Sequence, residues 1–159
     1  MRTARRGDLL AVLGVHARRH ADGRPPSAAS ELEVSTWAHM LGVPGLRVYL
    51  AELDGDAAGT ASVMMFPNIT YECHPSAIVE AVVVAHSYRR QGVATLLLQR
   101  ILEDMQAADC NKVELLSNKR HSSDGAHRLY ASLGFEPEAE GFRLYLEEVP
   151  NAVKEARQR

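Results

Sequence analysis

The sequence predicts an α+β fold: a central, mostly antiparallel twisted sheet of about six to seven strands with one parallel βαβ crossover, flanked by about four helices. Residues 78–85 form a near-continuous apolar run of strand length, as expected for a strand covered on both faces. A cationic turn follows, and residues 92–108 then carry apolar side chains at helical spacing. A further strand at 112–116 makes this helix a crossover connection, which is expected to be right-handed.

The first elements of the chain are an edge strand near Thr3 and a helix that begins after Asp8, a suitable N-cap. One face of this helix carries Leu9, Val12, Leu13 and His16. His16 and His20 are four residues apart, but arginines lie between them and no third ligand is near. A solvated helix end is therefore expected here, and no metal site.

A second helix is predicted from the capping-box spacing of Ser30 and Glu33, and it is expected to end at Gly42. Trp37 lies on its apolar stripe, where it serves either as core or as an aromatic wall of a binding site. Strands are expected at 46–53 and 58–66, with a hairpin turn at 54–56 between them.

Two elements are expected after the crossover. Ser122 and Ser123 are placed to cap a helix that ends at Gly134, and residues 141–146 alternate as a terminal strand does. We therefore expect a single domain over residues 1–150 and a polar C-terminal tail over residues 151–159.

Composition limits the classes of function. The chain has 159 residues, enough for one domain, and a formal net charge of −2, which argues against a general nucleic-acid binder. Cys73 and Cys110 form neither a metal-type pair nor a disulfide framework, so both are expected to be reduced thiols. No apolar stretch is long enough to span a membrane, and Asp8 argues against a signal peptide. We expect a cytoplasmic protein that binds neither nucleic acid nor membrane.

The junction between the apolar strand and the crossover helix is suited to phosphate. The first N–H groups of a helix have no intrahelical acceptor, and the helix dipole adds partial positive charge there. Gly92 lets an anion approach the backbone, and Arg89 and Arg90 add side-chain charge. The turn contains neither a mononucleotide P-loop nor a dinucleotide glycine pattern.

Two segments resemble signatures of the GNAT superfamily of N-acetyltransferases. Residues 82–84 with 88–94 resemble its acyl-coenzyme A pyrophosphate loop, and residues 126–135 resemble its second signature. The resemblance is firm over 78–135 and implies acetyl-CoA as co-substrate, without a metal. The coenzyme-binding positions that it implies are Val82, Val83, Val84, Arg89, Arg90, Gln91, Gly92, Val93, Ala94, Thr95, Asn118 and Ser123.

Ser123 marks a departure from the superfamily, which often has asparagine at this position, seven residues before a tyrosine. Serine still offers one hydrogen bond to the coenzyme. Asn118, further upstream, is an alternative anchor, or else a simple loop residue.

Glu80 and Tyr130 are the candidate catalytic residues. Strict alternation places Glu80 with Val82 and Val84 on one strand face. A carboxylate in so apolar a strand is costly to bury unless it takes up a proton or binds something, which suits a general base; the alternative is a structural ion pair. The resemblance implies that Tyr130 faces the coenzyme sulfur and protonates the leaving thiolate, whereas its helix stripe alone indicates core packing. His121 and His127 are alternative acid–base groups.

The acceptor site has a weaker signature. The connection over residues 67–76 carries Tyr71 and Glu72, which are suited to a small cationic amine through ring contact and charge, unless this is an ordinary solvated loop. Trp37 is the other candidate. The leading hypothesis is transfer of an acetyl group from acetyl-CoA to a primary amine of a small molecule or peptide, by direct attack in a ternary complex.

The alternative function is a non-catalytic acyl-CoA-binding sensor, which would keep the phosphate loop without turnover. The expected partners are acetyl-CoA and a small amine acceptor, and a homodimer is an open alternative to a monomer.

Overall fold

The computed structural model describes residues 1–118, 125–142 and 144, and this part of the chain contains four α-helices and five strands. The helices are α1 (Leu9–Ala17), α2 (Glu31–Gly42), α3 (Val93–Ala107) and α4 (Ala126–Ser132). The strands are β1 (Arg2–Thr3), β2 (Leu46–Leu53), β3 (Asp56–Phe66), β4 (Ser76–Val84) and β5 (Lys112–Leu115). None of the described helices is long and apolar enough to cross a membrane.

The five strands form one sheet in the order β1-β2-β3-β4-β5. Neighbouring strands are antiparallel up to β4, and β4 pairs with β5 in parallel across the α3 crossover. The predicted fold class is confirmed, although the described residues form fewer strands than the six to seven expected. Of the predicted terminal strand at 141–146, the described positions 141, 142 and 144 are not in a strand, and the rest lies outside the described residues, as do Ser122 and Ser123.

Helices cover both faces of the sheet. Val12 of α1 and Trp37 of α2 pack with Val48 and Leu50 of β2 on one face, which we call the α1–α2 face. On the other face, α3 buries Leu97 and its apolar neighbours against a larger core. That core also contains Tyr49, Ala61, Val63, Val79, Leu98, Ile101 and Met105. The predicted capping box begins α2, since Ser30 N–H donates to Glu33 Oε2 at 2.7 Å and Glu33 N–H donates to Ser30 Oγ at 3.3 Å.

A β-bulge interrupts β4. Ser62 of β3 pairs with Glu80 and Thr60 pairs with Val83, so two residues of β4, Ala81 and Val82, lie opposite one residue of β3. Ala81 has a φ of 53°, in the left-handed region. The prediction of strict alternation is therefore wrong, because the additional residue inverts the side-chain pattern.

The inverted pattern separates the side chains that the sequence had grouped. Glu80 and Val83 pair with residues of the α1–α2 face, whereas Val82 and Val84 pack against the α3 core. Glu80 therefore does not share a face with Val82 and Val84.

β4 extends beyond its parallel partner. The last pair between the two strands is Val79 with Leu115, while β4 continues to Val84. Within the described residues, positions 80–84 therefore have no strand partner on the β5 side. The backbone N–H and C=O groups of these positions therefore lack β5 as a hydrogen-bond partner; we call the region beside them, where the pairing has ended, the β4–β5 cleft, and β4 leads from there into the start of α3.

Two contacts hold α3 against the sheet. Gly59 of β3 lies so close to α3 that a methyl group at its Cα would be 2.7 Å from Val93 Cγ1 and 3.1 Å from Leu97 Cδ1. At the other end of α3, the Tyr49 hydroxyl donates to Asp104 Oδ2 at 2.6 Å, and burial together with this hydrogen bond raises the pKa of Tyr49 to about 12. One contact near each end thus fixes the position of α3 on the sheet.

Replacing Gly59 with alanine is expected to lower the free energy of unfolding by about 1 to 3 kcal/mol, because the added methyl group overpacks the contact with Val93 and Leu97. Urea unfolding measures the change. Gly42→Ala is the matched control, since a methyl group there meets nothing within 4 Å. Equal stability of Gly59→Ala and the natural chain would show that α3 does not depend on this close approach.

Candidate active site

The β4–α3 junction has the geometry of an anion site. Gly92 is the N-cap of α3 with a φ of 80°, in the left-handed region that glycine tolerates without strain. Leu96 N–H donates to the Gly92 carbonyl at 2.9 Å, so the N–H groups of residues 93–95 precede the first intrahelical bond. The predicted helix start is confirmed to within one residue.

The two arginines of this turn have different surroundings. Arg89 donates through Nη2 to the Arg19 carbonyl at 2.6 Å, which ties the turn to the residues that follow α1. Gln91 donates through Nε2 to the Ser87 carbonyl at 2.9 Å. Arg90 reaches instead toward the start of α4, where a methyl group on Gly125 would be 2.8 Å from Arg90 Nη1 and 3.4 Å from Arg128 Nη2.

Arg90 and Arg128 therefore converge on Gly125, and among the described ion pairs neither guanidinium has a carboxylate partner. Two cations brought together at Gly125, one of them from the turn that begins α3, favour a bound anion. The sequence analysis missed Arg128 as a site residue, although it lies in the second segment that carries the family resemblance. The sequence signal for Arg128 as a site residue was its position in that segment, residues 126–135.

The cleft between β4 and β5 lies next to this junction. Val82, Val83 and Val84 are half-buried along it. Asn118 is exposed shortly after β5, and Ser123 lies outside the described residues. A further contact joins this loop to α4, because the Ser117 hydroxyl and His127 Nε2 are 3.1 Å apart.

Tyr130 is half-buried on α4 and packs against the α3 core. Its ring makes an edge-to-face contact with Phe135, with 6.1 Å between centroids and 73° between planes. The backbone supports this contact, since Phe135 N–H donates to the Tyr130 carbonyl at 3.0 Å. Core packing is thus part of the role of Tyr130, and a role for its hydroxyl stays a prediction.

Glu80 is exposed on the α1–α2 face. Its strand partner Ser62 donates through Oγ to the Glu80 carbonyl at 3.1 Å. The Glu80 carboxylate is therefore not buried in an apolar strand as expected, because its side chain is exposed beside the bulge. Its role as a base stays a prediction that rests on position.

A cavity of about 390 Å³ lies between α1, α2 and the sheet on this same face. Ser62 and Ala81 line this cavity. Glu80 pairs with Ser62 and precedes Ala81 in the chain, so it lies next to the cavity. Trp37 is 4% exposed and also lines the cavity, while its Nε1 donates to the Arg6 carbonyl at 3.1 Å. Both interpretations of Trp37, as core and as the wall of a binding site, fit this position.

His16 is a second group that the sequence analysis missed. It lines the cavity and is half-buried, so the expectation of a solvated helix end is wrong for His16, whereas His20 is exposed as expected. Burial, with a smaller contribution from Arg19, lowers the pKa of His16 below its ordinary value. The sequence signal for this partly buried position was that His16 lies on the apolar face of α1. No group of three or more His, Cys, Asp or Glu side chains in the described chain has the arrangement of a metal site.

Tyr71 and Glu72 lie apart from these groups. The Lys112 ammonium is 5.6 Å from the centroid of the Tyr71 ring, and His74 Nδ1 lies 2.9 Å from Asp109 Oδ2. The 67–75 loop therefore packs where β5 begins, at the opposite end of β4 from Gly92. At about 3.3 Å per residue, the length of β4 separates the two ends by roughly 25 Å. Four strand residues, roughly 13 Å, separate the start of β4 from Glu80, and the role of Tyr71 and Glu72 as acceptor contacts stays a prediction.

Comparison with known proteins agrees with this geometry. Residues 15–135 match the model of the acetyltransferase (GNAT) family. The chain is 30% identical over 129 residues to a glucosamine 6-phosphate N-acetyltransferase of Trypanosoma brucei brucei, covering 80% of this chain and 83% of that protein.

Two solved structures also resemble the chain. A putative acetyltransferase from Agrobacterium tumefaciens str. C58 has a TM-score of 0.80 and 28% identity, over 91% of this chain and 97% of that one. A transcriptional regulator from Bacillus halodurans C-125 has a TM-score of 0.78 at 23% identity, with the same coverage of 91% and 97%, and this second likeness concerns the fold alone.

Replacing Arg128 with alanine is expected to weaken coenzyme A binding about 10- to 100-fold, the effect of losing one charge-assisted hydrogen bond of roughly 1.5 to 3 kcal/mol. Calorimetry measures the dissociation constant. Arg100→Ala is the control, because it removes the same charge from the far half of α3, where Arg100 pairs with Asp104 at 2.9 Å. Equal affinity of Arg128→Ala and the control would remove Arg128 from the anion site.

Proposed function

The chain belongs to the acetyltransferase (GNAT) family and is an acyltransferase; we propose that it transfers an acetyl group from acetyl-CoA to a primary amine by direct attack in a ternary complex. One observation carries the proposal. The bulge in β4 lies between two openings, the cleft toward β5 and the cavity under α1 and α2. Two substrates bound on either side of the same strand segment would meet at it.

Acetyl-CoA fits the cleft and the adjoining junction. Its pantetheine arm carries amide groups, which can pair with the backbone of residues 82–84 in the manner of an added strand. Its pyrophosphate would accept hydrogen bonds from the N–H groups at the start of α3, with Arg90 and Arg128 supplying charge. Asn118 and Ser123 stay predictions as further coenzyme contacts.

The reaction requires a base that takes a proton from the amine and an acid that gives one to the leaving thiolate. The amine nitrogen attacks the thioester carbonyl carbon, a C–N bond forms, the C–S bond breaks, and the amine loses a proton. We assign that proton to Glu80, directly or through a water, because Glu80 adjoins the cavity next to the bulge. The Tyr130 hydroxyl returns a proton to the leaving thiolate.

The first test mixes the purified chain with acetyl-CoA and primary amines and follows the release of the coenzyme thiol. Amine-dependent thiol release with formation of an N-acetyl product supports the proposal. Coenzyme binding without turnover on any amine would favour the sensor alternative instead.

Replacing Tyr130 with phenylalanine is expected to lower kcat about 100-fold or more, in the range of general acid catalysis, while the dissociation constant of coenzyme A stays within about twofold. Tyr71→Phe is the matched control, since Tyr71 lies at the other end of the sheet. Normal turnover together with a lower free energy of unfolding would return Tyr130 to a purely structural role.

Replacing Glu80 with glutamine is expected to lower kcat/KM more at pH 7 than at pH 10. An alkylamine, with a pKa near that of lysine at about 10.4, is almost wholly protonated at pH 7, whereas roughly 30% of it is already neutral at pH 10, so that turnover then depends less on a base. A pH profile of kcat/KM for the natural chain and the variant tests this. Ser35→Ala, on the exposed surface of α2, serves as a control. A constant ratio of the two profiles across pH would indicate that Glu80 does not accept the proton.

A further inference from the structure

We propose that the acceptor is a primary amine with an apolar, uncharged body, an alkylamine or arylalkylamine, which binds in the α1–α2 cavity with its nitrogen at the bulge. This inference rests on the function proposed above and names the chemical class of its second substrate. It commits to a small molecule rather than to the N-terminus of a peptide.

The lining of the cavity is the first argument. Its walls are mainly apolar side chains from both helices and β2, namely Leu9, Val12, Leu13, Trp37, Met40 and Val48. None of the described residues that line it is an arginine or a lysine. Its volume of about 390 Å³ lies toward the small end of the range for small-molecule sites. An apolar body of modest size gains by leaving water for such a cavity.

The polar groups of the cavity are the second argument, because most are already committed. Thr60 Oγ1 donates to the Tyr49 carbonyl at 2.8 Å, and Ser62 Oγ donates to the Glu80 carbonyl at 3.1 Å. Glu33 accepts from the backbone and the hydroxyl of Ser30, at 2.7 Å each. A substrate rich in hydroxyl groups would lose its hydration here and find few donors, which is costly.

The position of the bulge sets the orientation of the amine. Ser62 and Ala81 line the part of the cavity next to Glu80, where β4 also borders the coenzyme cleft. The nitrogen must be at this end to reach a thioester. His16 also lines the cavity, and its ring makes none of the hydrogen bonds found in the described chain, so it can accept one from a ligand bound there.

An apolar amine differs from glucosamine 6-phosphate, which is the substrate in the name of the relative that is 30% identical to this chain. A phosphorylated amino sugar brings a dianion that needs cationic partners, and the described cavity lining supplies none. The arginines of this region instead converge at Gly125, on the coenzyme side.

The experiment compares kcat/KM at saturating acetyl-CoA for a series of n-alkylamines from ethylamine to hexylamine, for 2-phenylethylamine, glucosamine and glucosamine 6-phosphate, and for a short peptide with a free N-terminus. Each added methylene group is expected to raise kcat/KM about fourfold until the cavity is filled, which corresponds to about 0.8 kcal/mol per buried methylene. Hexylamine and phenylethylamine should exceed both sugars and the peptide at least 10-fold.

A cavity variant supplies the second arm. Thr36 is an exposed position that lines the cavity, so Thr36→Phe should fill part of it, lower kcat/KM for hexylamine at least 10-fold and leave the KM of acetyl-CoA unchanged. Val34→Phe is the control, because Val34 is 49% exposed on the same helix and does not line the cavity. Equal loss in both variants would contradict the assignment of this cavity to the acceptor.

The outcomes separate the two proposals. Transfer from acetyl-CoA that favours glucosamine, its phosphate or the peptide, or a flat response along the alkyl series, overturns the apolar acceptor and leaves the acetyltransferase function intact. Failure to acetylate any amine despite coenzyme binding overturns the proposed function itself.

Discussion

The additional residue of β4 is the constraint on which the arrangement of this molecule depends. At Ala81 the backbone adopts a left-handed conformation that costs a non-glycine residue energy, and it is held there by the pairs Ser62 with Glu80 and Thr60 with Val83 on either side. Without it, Glu80, Val82 and Val84 would share one face. With it, Glu80 adjoins the cavity while Val82 and Val84 pack against the α3 core. The one additional residue thus places Glu80 and the two valines on opposite faces of the sheet.

The bulge acts together with the early end of β5. Since the parallel pairing stops at Val79 and Leu115, the backbone of β4 around the bulge has no strand partner on that side within the described residues, and the strand then leads within a few residues to Gly92 and α3. Gly59 allows α3 to approach the sheet closely, and Tyr49 holds its far end through Asp104. The helix start that we assign to phosphate is therefore packed against the buried core through Val93 and Leu97.

Local signals made the starts of α2 and α3 and the strand–turn–helix unit predictable from sequence. The capping box of Ser30 and Glu33 and the glycine before α3 act within a few residues, so their geometry follows from spacing. Features that depend on contacts between distant segments were not predicted from the sequence. The bulge is set by register with β3, and the position of the Tyr71 loop by its contact with Lys112. No local pattern encodes either of them.

The sequence predicted the coenzyme turn but not the positions of His16 and Arg128 in the site, again because these depend on contacts between distant segments. His16 and Arg128 acquire their surroundings only when α1 meets the sheet and α4 meets Gly125 near Arg90. The cytoplasmic location, the domain boundary at 150 and a homodimer stay predictions, because they depend on features beyond the fold of the described residues.

Amide hydrogen exchange in the presence and absence of saturating coenzyme A tests the central claim most directly, because it reports on each backbone N–H group. The account predicts slower exchange in two segments, residues 82–84 beside the bulge and residues 93–95 at the start of α3, with no change in the 67–75 loop. Coenzyme binding that leaves the exchange of residues 82–84 unchanged, or that protects the 67–75 loop instead, would contradict the assignment of the cleft to the coenzyme.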